Sequence, residues 1–197
     1  MNYVFSILIL IAVYSLLSVS LDLIMGHGGM FHMGHGGFFA VGAYAGALLA
    51  TSLNLPFFLE LLLAGAVAAV FGMIIGFPSI RLKGDYITFC SYGFAVVIYT
   101  VANNWMDVTN GPIGISGLMR PEIFGISFAS LPMYLLLCVI ICAVCFFIIS
   151  RILNSPYGKS IQATREDEIA TYACGVNVAS LRVQIFCIGA FFAGVAG

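Results

Sequence analysis

Three histidines, His27, His32 and His35, lie close together a few residues after Asp22, in the run Met25-Gly-His-Gly-Gly-Met-Phe-His-Met-Gly-His-Gly-Gly-Phe38. Imidazole is the commonest metal ligand, but a structural zinc site asks for four ligands at a recognisable spacing. No Cys or Glu joins the three nearby, and Asp22 is the sole carboxylate at hand. We therefore read the histidines as hydrogen-bonding groups beside a cavity, with no metal and no cofactor expected. A catalytic centre would need a convergent acid, base or nucleophile set, and the chain offers none beyond these histidines. Nor does it carry the Gly-x-x-x-x-Gly-Lys-Ser/Thr loop that cradles nucleotide phosphates.

Composition says where such residues must sit. The 197 residues are 62% hydrophobic and 8% charged, with net charge −1, mean hydropathy +1.11 and pI near 6.2. Soluble domains carry about 25% charged residues, so a water-soluble globule is excluded. Disorder and a basic nucleic-acid surface are excluded too. Cys90, Cys138, Cys142, Cys145, Cys174 and Cys187 fall mainly within apolar runs, as small reduced side chains do.

The apolar content divides into blocks near the roughly 20 residues that a bilayer crossing requires. The pattern predicts an all-α polytopic membrane protein with five full spans: Tyr3–Met25, Gly37–Leu53, Leu59–Phe77, Tyr86–Ala102 and Leu131–Ser150. A sixth run begins at Val183 and stops at Gly197, too short for a comfortable crossing, so we expect a fragment of a longer protein. No basic residue precedes the first run and no cleavage motif follows it, so it is a span and not a signal peptide. Placing Arg81, Lys83, Arg151, Lys159, Arg165 and Arg182 in the cytoplasm leaves Arg120 alone outside. The N-terminus is then external, and Asn103–Ser130 is an external loop with Trp105 at interface depth.

Six glycines between the first two spans predict a broken helix, since each costs about 1 kcal/mol in a helix interior. Two readings stand: a tight cytoplasmic turn, or the broken backbone that transporters aim at a substrate. Asp22 is either a functional intramembrane carboxylate or a boundary residue bonded to an amide of the break. Gly42, Gly46 and Ala50 form a stripe suited to close helix packing.

Residues 151–182 are the one long polar stretch. Ser155-Pro156 predicts an N-cap with proline in the first turn, helix formers run from Tyr157 to Cys174, and Gly175 with Asn177 supplies a stop. We expect a short hairpin-like helical element on which Ile161, Ile169 and Tyr172 cluster, suited to docking in a polar protein groove.

Ser-Pro-Tyr-Gly-Lys (155–159), Ala163, Arg-Glu-Asp-Glu (165–168), Ala170, Gly175 and Asn177 resemble the coupling loop of ABC-importer membrane subunits. The best match is the branched-chain amino acid permease family of the LivM type. Leu21-Asp-Leu-Ile-Met-Gly26, Gly34-His-Gly-Gly-Phe-Phe-Ala-Val-Gly-Ala-Tyr44, Pro78-Ser-Ile-Arg-Leu-Lys-Gly-Asp-Tyr86 and Asn110-Gly-Pro-Ile-Gly114 are similar to it as well. His27, His32 and Thr171 depart from the family pattern, and the family is about half as long again.

The resemblance implies a permease in the plasma (inner) membrane, working with a second permease subunit, two cytoplasmic ATPases and an external substrate-binding protein. Residues 1–197 would form an incomplete permease domain, with 151–182 its cytoplasmic coupling loop. Arg165, Glu166, Asp167 and Glu168 would contact the ATPase, with Ala170 in the motif and Gly175 reversing the chain. Asp22, Gly26, Gly28, His32, His35, Gly36 and Gly37 would border the substrate pathway. The competing reading is an ion-coupled carrier or channel that uses Asp22, the histidines and Glu60.

Overall fold

The computed structural model describes residues 2–53, 55–80, 82, 84–117, 122–123, 126–127 and 130–197. Arg81, Lys83 and Arg120, used above for sidedness, lie outside the described residues. The apolar runs fold as α1 (Asn2–Asp22), extended by a π-helical turn at Leu23–His27, then α2 (His35–Leu53), α3 (Phe57–Ser79) and α4 (Asp85–Asn104). A short α5 (Met106–Thr109), a 3-10 turn at Gly111–Ile113 and a ribbon of β1 (Glu122–Ile123) with β2 (Ile126–Ser127) lead to α6 (Leu131–Leu153). The ribbon is antiparallel and pairs Glu122 with Ser127 and Ile123 with Ile126. After it come α7 (Pro156–Glu166), α8 (Glu168–Ala173) and α9 (Val178–Ala196).

Among the described residues, five helices are long and apolar enough to cross a membrane: Tyr3–His27, Phe57–Pro78, Asp85–Asn104, Leu131–Leu153 and Val178–Ala196. The last begins five residues before the apolar run read from Val183. Asn177 is the reason, its Oδ1 accepting from the Ser180 amide at 3.0 Å and starting the helix there. By contrast, α2 is not among the five, although its residues are on average as apolar as those of α9. Two of its glycines, Gly37 and Gly42, allow close packing. A Cβ at Gly42 would lie 2.3 Å from the Gly194 Cα, so α2 and α9 meet backbone to backbone, as small-residue seams allow in lipid.

The main core joins Leu23, Ile24, Met30, Phe38, Ile75, Ile87, Ile161, Leu181, Ile185 and Phe186, with Leu82, Leu153, Tyr157 and Val176 against it. The end of α1, the α3–α4 connection, the end of α6, α7 and the start of α9 thus meet at one end of the bundle. Parity then carries the first residues of α1 to the opposite end. A second cluster packs Leu16, Cys142, Cys145, Ile149 and Phe192, and the Cys142 thiol donates to the Ala12 carbonyl at 3.2 Å. All six cysteines are free. Outward apolar side chains such as Leu10, Ile11, Val70, Phe89, Val97 and Phe147 are exposed along the spans, the arrangement a lipid solvent requires.

Candidate transport and coupling sites

The glycine-rich break is real, and it starts inside α1. Gly28 N–H donates to the Leu23 carbonyl at 3.1 Å and Met30 N–H to the Ile24 carbonyl at 3.2 Å, a wider winding that marks functional positions in many helices. The helix ends at His27, which leaves last-turn carbonyls such as that of Gly26 available to other donors. Asp22, the residue before the turn, is exposed and sits 3.1 Å from His27 Nδ1, so its partner is an imidazole and not an amide of the break.

From Gly28 the chain turns back into the bundle instead of leaving it. Met33 N–H donates to Ser91 Oγ at 3.1 Å, and Thr88 Oγ1 donates to the Phe31 carbonyl at 3.3 Å. A Cβ at Gly34 would lie 2.2 Å from the Ser91 carbonyl oxygen, so only glycine lets the strand approach α4 this closely. Ser91 is six residues into α4, about 9 Å along its axis at 1.5 Å per residue. The start of α2 is therefore buried within the bundle.

His35, its first residue, places Nε2 2.7 Å from Ser20 Oγ. Ser20 spends its own hydrogen on the Leu17 carbonyl at 2.7 Å, so the assigned donor is His35 Nε2–H. His32 is 2% exposed, stacked on Phe38 and edge-on to Phe186 and His35. Among the described residues no group of three or more His, Cys, Asp or Glu side chains is placed to hold a metal. Around the other predicted pathway residues, Gly37 packs against the Phe94 ring and Gly28 against the Ile24 carbonyl, while Gly36 faces open space.

A cavity of about 840 Å³ lies elsewhere, walled by α1, α2, α3, α6 and α9. That volume is within the range of small-molecule sites. Leu16, Gly42, Gly46, Ala50, Leu61 and Cys138 are on its wall, with Glu60 the one carboxylate there among the described residues. None of the residues expected to border the pathway lines this space. The signal for it was the Gly42-Gly46-Ala50 stripe, whose missing side chains leave room as well as contact.

The polar stretch folds largely as its caps predict. Ser155 Oγ accepts from Gly158 N–H at 3.3 Å at the start of α7, and Gly175 reverses the chain at φ +84°. One expectation fails: the helical stretch read from Tyr157 to Cys174 is interrupted at Asp167. That residue adopts extended backbone, and its Oδ1 accepts from Ile169 N–H at 2.8 Å and Ala170 N–H at 3.0 Å. It therefore caps α8, and the interruption resets helical phase. Ile161 is buried, whereas Ile169 and Tyr172 are exposed, so the three do not cluster. Burial pushes the Tyr157 hydroxyl up to about 12, and it is neutral at any physiological pH.

Two charged side chains of the predicted coupling run reach back to the bundle. Arg165 donates from its guanidinium to the Gly26 carbonyl, and Gly29, at φ +68°, lies against the Arg165 stem. Glu168 pairs with Arg182 in the first turns of α9. Glu166 and Ala170 are exposed. Neither long-range link has a local sequence signal, because a backbone carbonyl belongs to every residue and Glu168 meets Arg182 only across the turn at Gly175.

Residues 3–197 match the family model described as branched-chain amino acid transport system / permease component. The chain is similar to the high-affinity branched-chain amino acid transport system permease protein LivM of Salmonella typhimurium, 33% identical over 94% of this chain and 49% of that protein. The LivM protein of Escherichia coli shows the same identity and coverage. A probable branched-chain amino acid transport permease protein LivM of Methanocaldococcus jannaschii is 26% identical over 70% of this chain and 41% of that protein. The chain thus spans about half the length of the curated relatives it matches. No solved structure matches it significantly.

Proposed function

Because the chain belongs to the branched-chain amino acid transport system permease family, we propose that it forms a membrane-spanning part of an ABC importer for branched-chain or related amino acids. Its partners are a second permease subunit, two cytoplasmic ATPases and an external binding protein, assembled in the plasma membrane. Residues 1–197 contribute to the permease domain and 151–182 act as its cytoplasmic coupling loop. The chain conducts and the ATPases hydrolyse.

The observation that carries this reading is the double attachment of α7–α8. Arg165 ties it to the π-turn of α1 through the Gly26 carbonyl, and Glu168 ties it to α9 through Arg182. Force applied to the loop by an ATP-driven partner then reaches both helices directly. Helix α9 packs on α1, α2 and α3, so its displacement reshapes the cavity wall. Apolar wall residues such as Leu16 and Leu61 suit an aliphatic side chain, and Glu60 offers a carboxylate to a substrate ammonium group. Asp22, Gly26, Gly28, His32, His35, Gly36 and Gly37 form the inner end of the pathway, where His32 and His35 are buried and would be uncovered when α7–α8 moves.

The alternative ion path would use the same cavity and the same off-cavity residues as the importer reading. Glu60 lines the cavity, and neither Asp22 nor any of the three histidines does. Uptake of labelled leucine by proteoliposomes holding the full complex decides between the readings. The importer predicts uptake that requires ATP, the ATPases and the binding protein. Uptake that persists without the ATPases would instead favour an ion-coupled carrier or channel.

A further inference from the structure

We propose that the anchors of the ATPase contact are two apolar side chains, Ile169 and Tyr172, and not the charged run that precedes them; this rests on the coupling reading above. Three of the four charged residues in that run are engaged within the chain. Arg165 serves the Gly26 carbonyl, Asp167 caps α8, and Glu168 pairs with Arg182. Glu166 is the exposed remainder. Meanwhile Ile169 is 83% and Tyr172 73% exposed, while Thr171 between them is buried. Three residues apart on α8, they project on one face, so the inward side of the helix is fixed and the outward side is apolar.

The occupant follows from the charge around the pair. The adjoining side of α8, at Ala170 and Thr171, borders a groove of about 400 Å³ whose charged residues are Lys159, Glu166 and Asp167. Its two carboxylates, Glu166 and Asp167, outweigh the one ammonium of Lys159, and a net acidic edge disfavours an anionic lipid surface, which attracts basic segments. The same edge favours a protein cleft with an apolar floor and a Lys or Arg rim. Tyrosine in such a cleft is a frequent hot spot, because its ring buries much area at low entropic cost. The committed partner is the cytoplasmic ATPase of the same importer.

The test uses the assembled complex of the full-length chain with its cognate ATPase. A benzophenone side chain is placed in turn at Ile169, Tyr172 and Lys159, and the crosslinked product is identified by mass. The expected result is capture of the ATPase from Ile169 and Tyr172. The double variant Ile169→Gln/Tyr172→Gln should also lower ATPase retention at least tenfold, while Ile169→Leu/Tyr172→Phe retains it and Glu166→Gln changes it less than threefold. Capture from Lys159 alone, capture of lipid from Ile169 and Tyr172, or full retention by the double variant overturns the anchor assignment and leaves the coupling reading standing. Absence of capture from all three positions overturns both.

Discussion

The guanidinium of Arg165 donates to the carbonyl of Gly26, joining two segments 139 residues apart in the chain. The acceptor lies in the π-turn that ends α1, and the donor lies in α7 beyond the end of α6. Gly26 lies in the last turn of a helix that ends at His27, where carbonyls have no internal donor, so its oxygen is free for this partner. Gly29 completes the joint, because the Arg165 stem lies where its side chain would be. The break and α7 are therefore joined as one unit.

Loosening that unit should uncouple transport before it unfolds the bundle. Arg165→Gln removes a charge-assisted bond worth about 1 kcal/mol once the exposed setting of the arginine is allowed for. We expect ATP hydrolysis in the full complex to continue while uptake per ATP falls several-fold. Hydrogen exchange at residues 26–30 should rise in parallel. Unchanged exchange there would show that the joint does not hold the break.

Gly29→Ala attacks the same joint from the other side. Its φ of +68° costs a side-chain-bearing residue about 1–2 kcal/mol, and the new Cβ would stand 2.6 Å from Arg165 Cγ. The expected outcome is a lowered melting temperature in detergent together with the uptake defect of Arg165→Gln. The double variant Gly29→Ala/Arg165→Gln should be less than additive, since both act on one contact; full additivity would refute a shared joint.

How far the sequence foretells this arrangement depends on the range of the interaction involved. Caps are legible, because a cap is a local bond: Ser155 and Gly175 stand in the structure where their types place them. The helix break is legible from glycine density alone. Asp167 is misread because Asp within a charged run signals a solvated helix face as readily as a cap, and the choice falls to tertiary contacts on either side. The cavity is legible only in hindsight, since Gly42 and Gly46 share one stripe but one makes a contact and the other leaves a space. Which does which depends on the helix opposite.

Ser20 tests the buried polar pair at the start of α2. Ser20→Ala strips the acceptor from His35 Nε2–H in a setting where both residues are buried. An orphaned buried donor costs about 1–3 kcal/mol, so thermal unfolding of the detergent-solubilised chain should shift down by several degrees. Ser20→Ala with His35→Phe removes both polar groups, and it should recover part of the loss. A double variant as unstable as the single one would mean that the hydrogen bond is not what Ser20 supplies.

Glu168 and Arg182 form the second attachment. Arg182 is 8% exposed, and Glu168 is more open. Removing the carboxylate should cost about 1–2 kcal/mol, less than the 3–5 typical of breaking a fully buried pair. Glu168→Ala and Arg182→Ala, taken with their double variant, should show a positive coupling energy in thermal or denaturant unfolding. Zero coupling would mean that α8 is not held to α9 by this contact.

Gly42 and Gly46, one turn apart on α2, should respond in opposite ways to the same substitution. At Gly42 a methyl would meet the Gly194 backbone at 2.3 Å, and backbone does not yield. Gly42→Ala should therefore force α2 from α9 and lower both abundance and melting temperature. At Gly46 the nearest atom to a Cβ is the Ala64 methyl at 3.7 Å, ordinary contact distance. Gly46→Ala should be stable, and more so than the parent if the loss of glycine's unfolded-state freedom contributes its usual ~0.4–1 kcal/mol. A larger residue there grows into the space that Glu60 borders. Gly46→Phe should then leave folding intact while cutting uptake of leucine at least tenfold and uptake of alanine less. Equal uptake by parent and Gly46→Phe would mean that the substrate does not pass through the cavity.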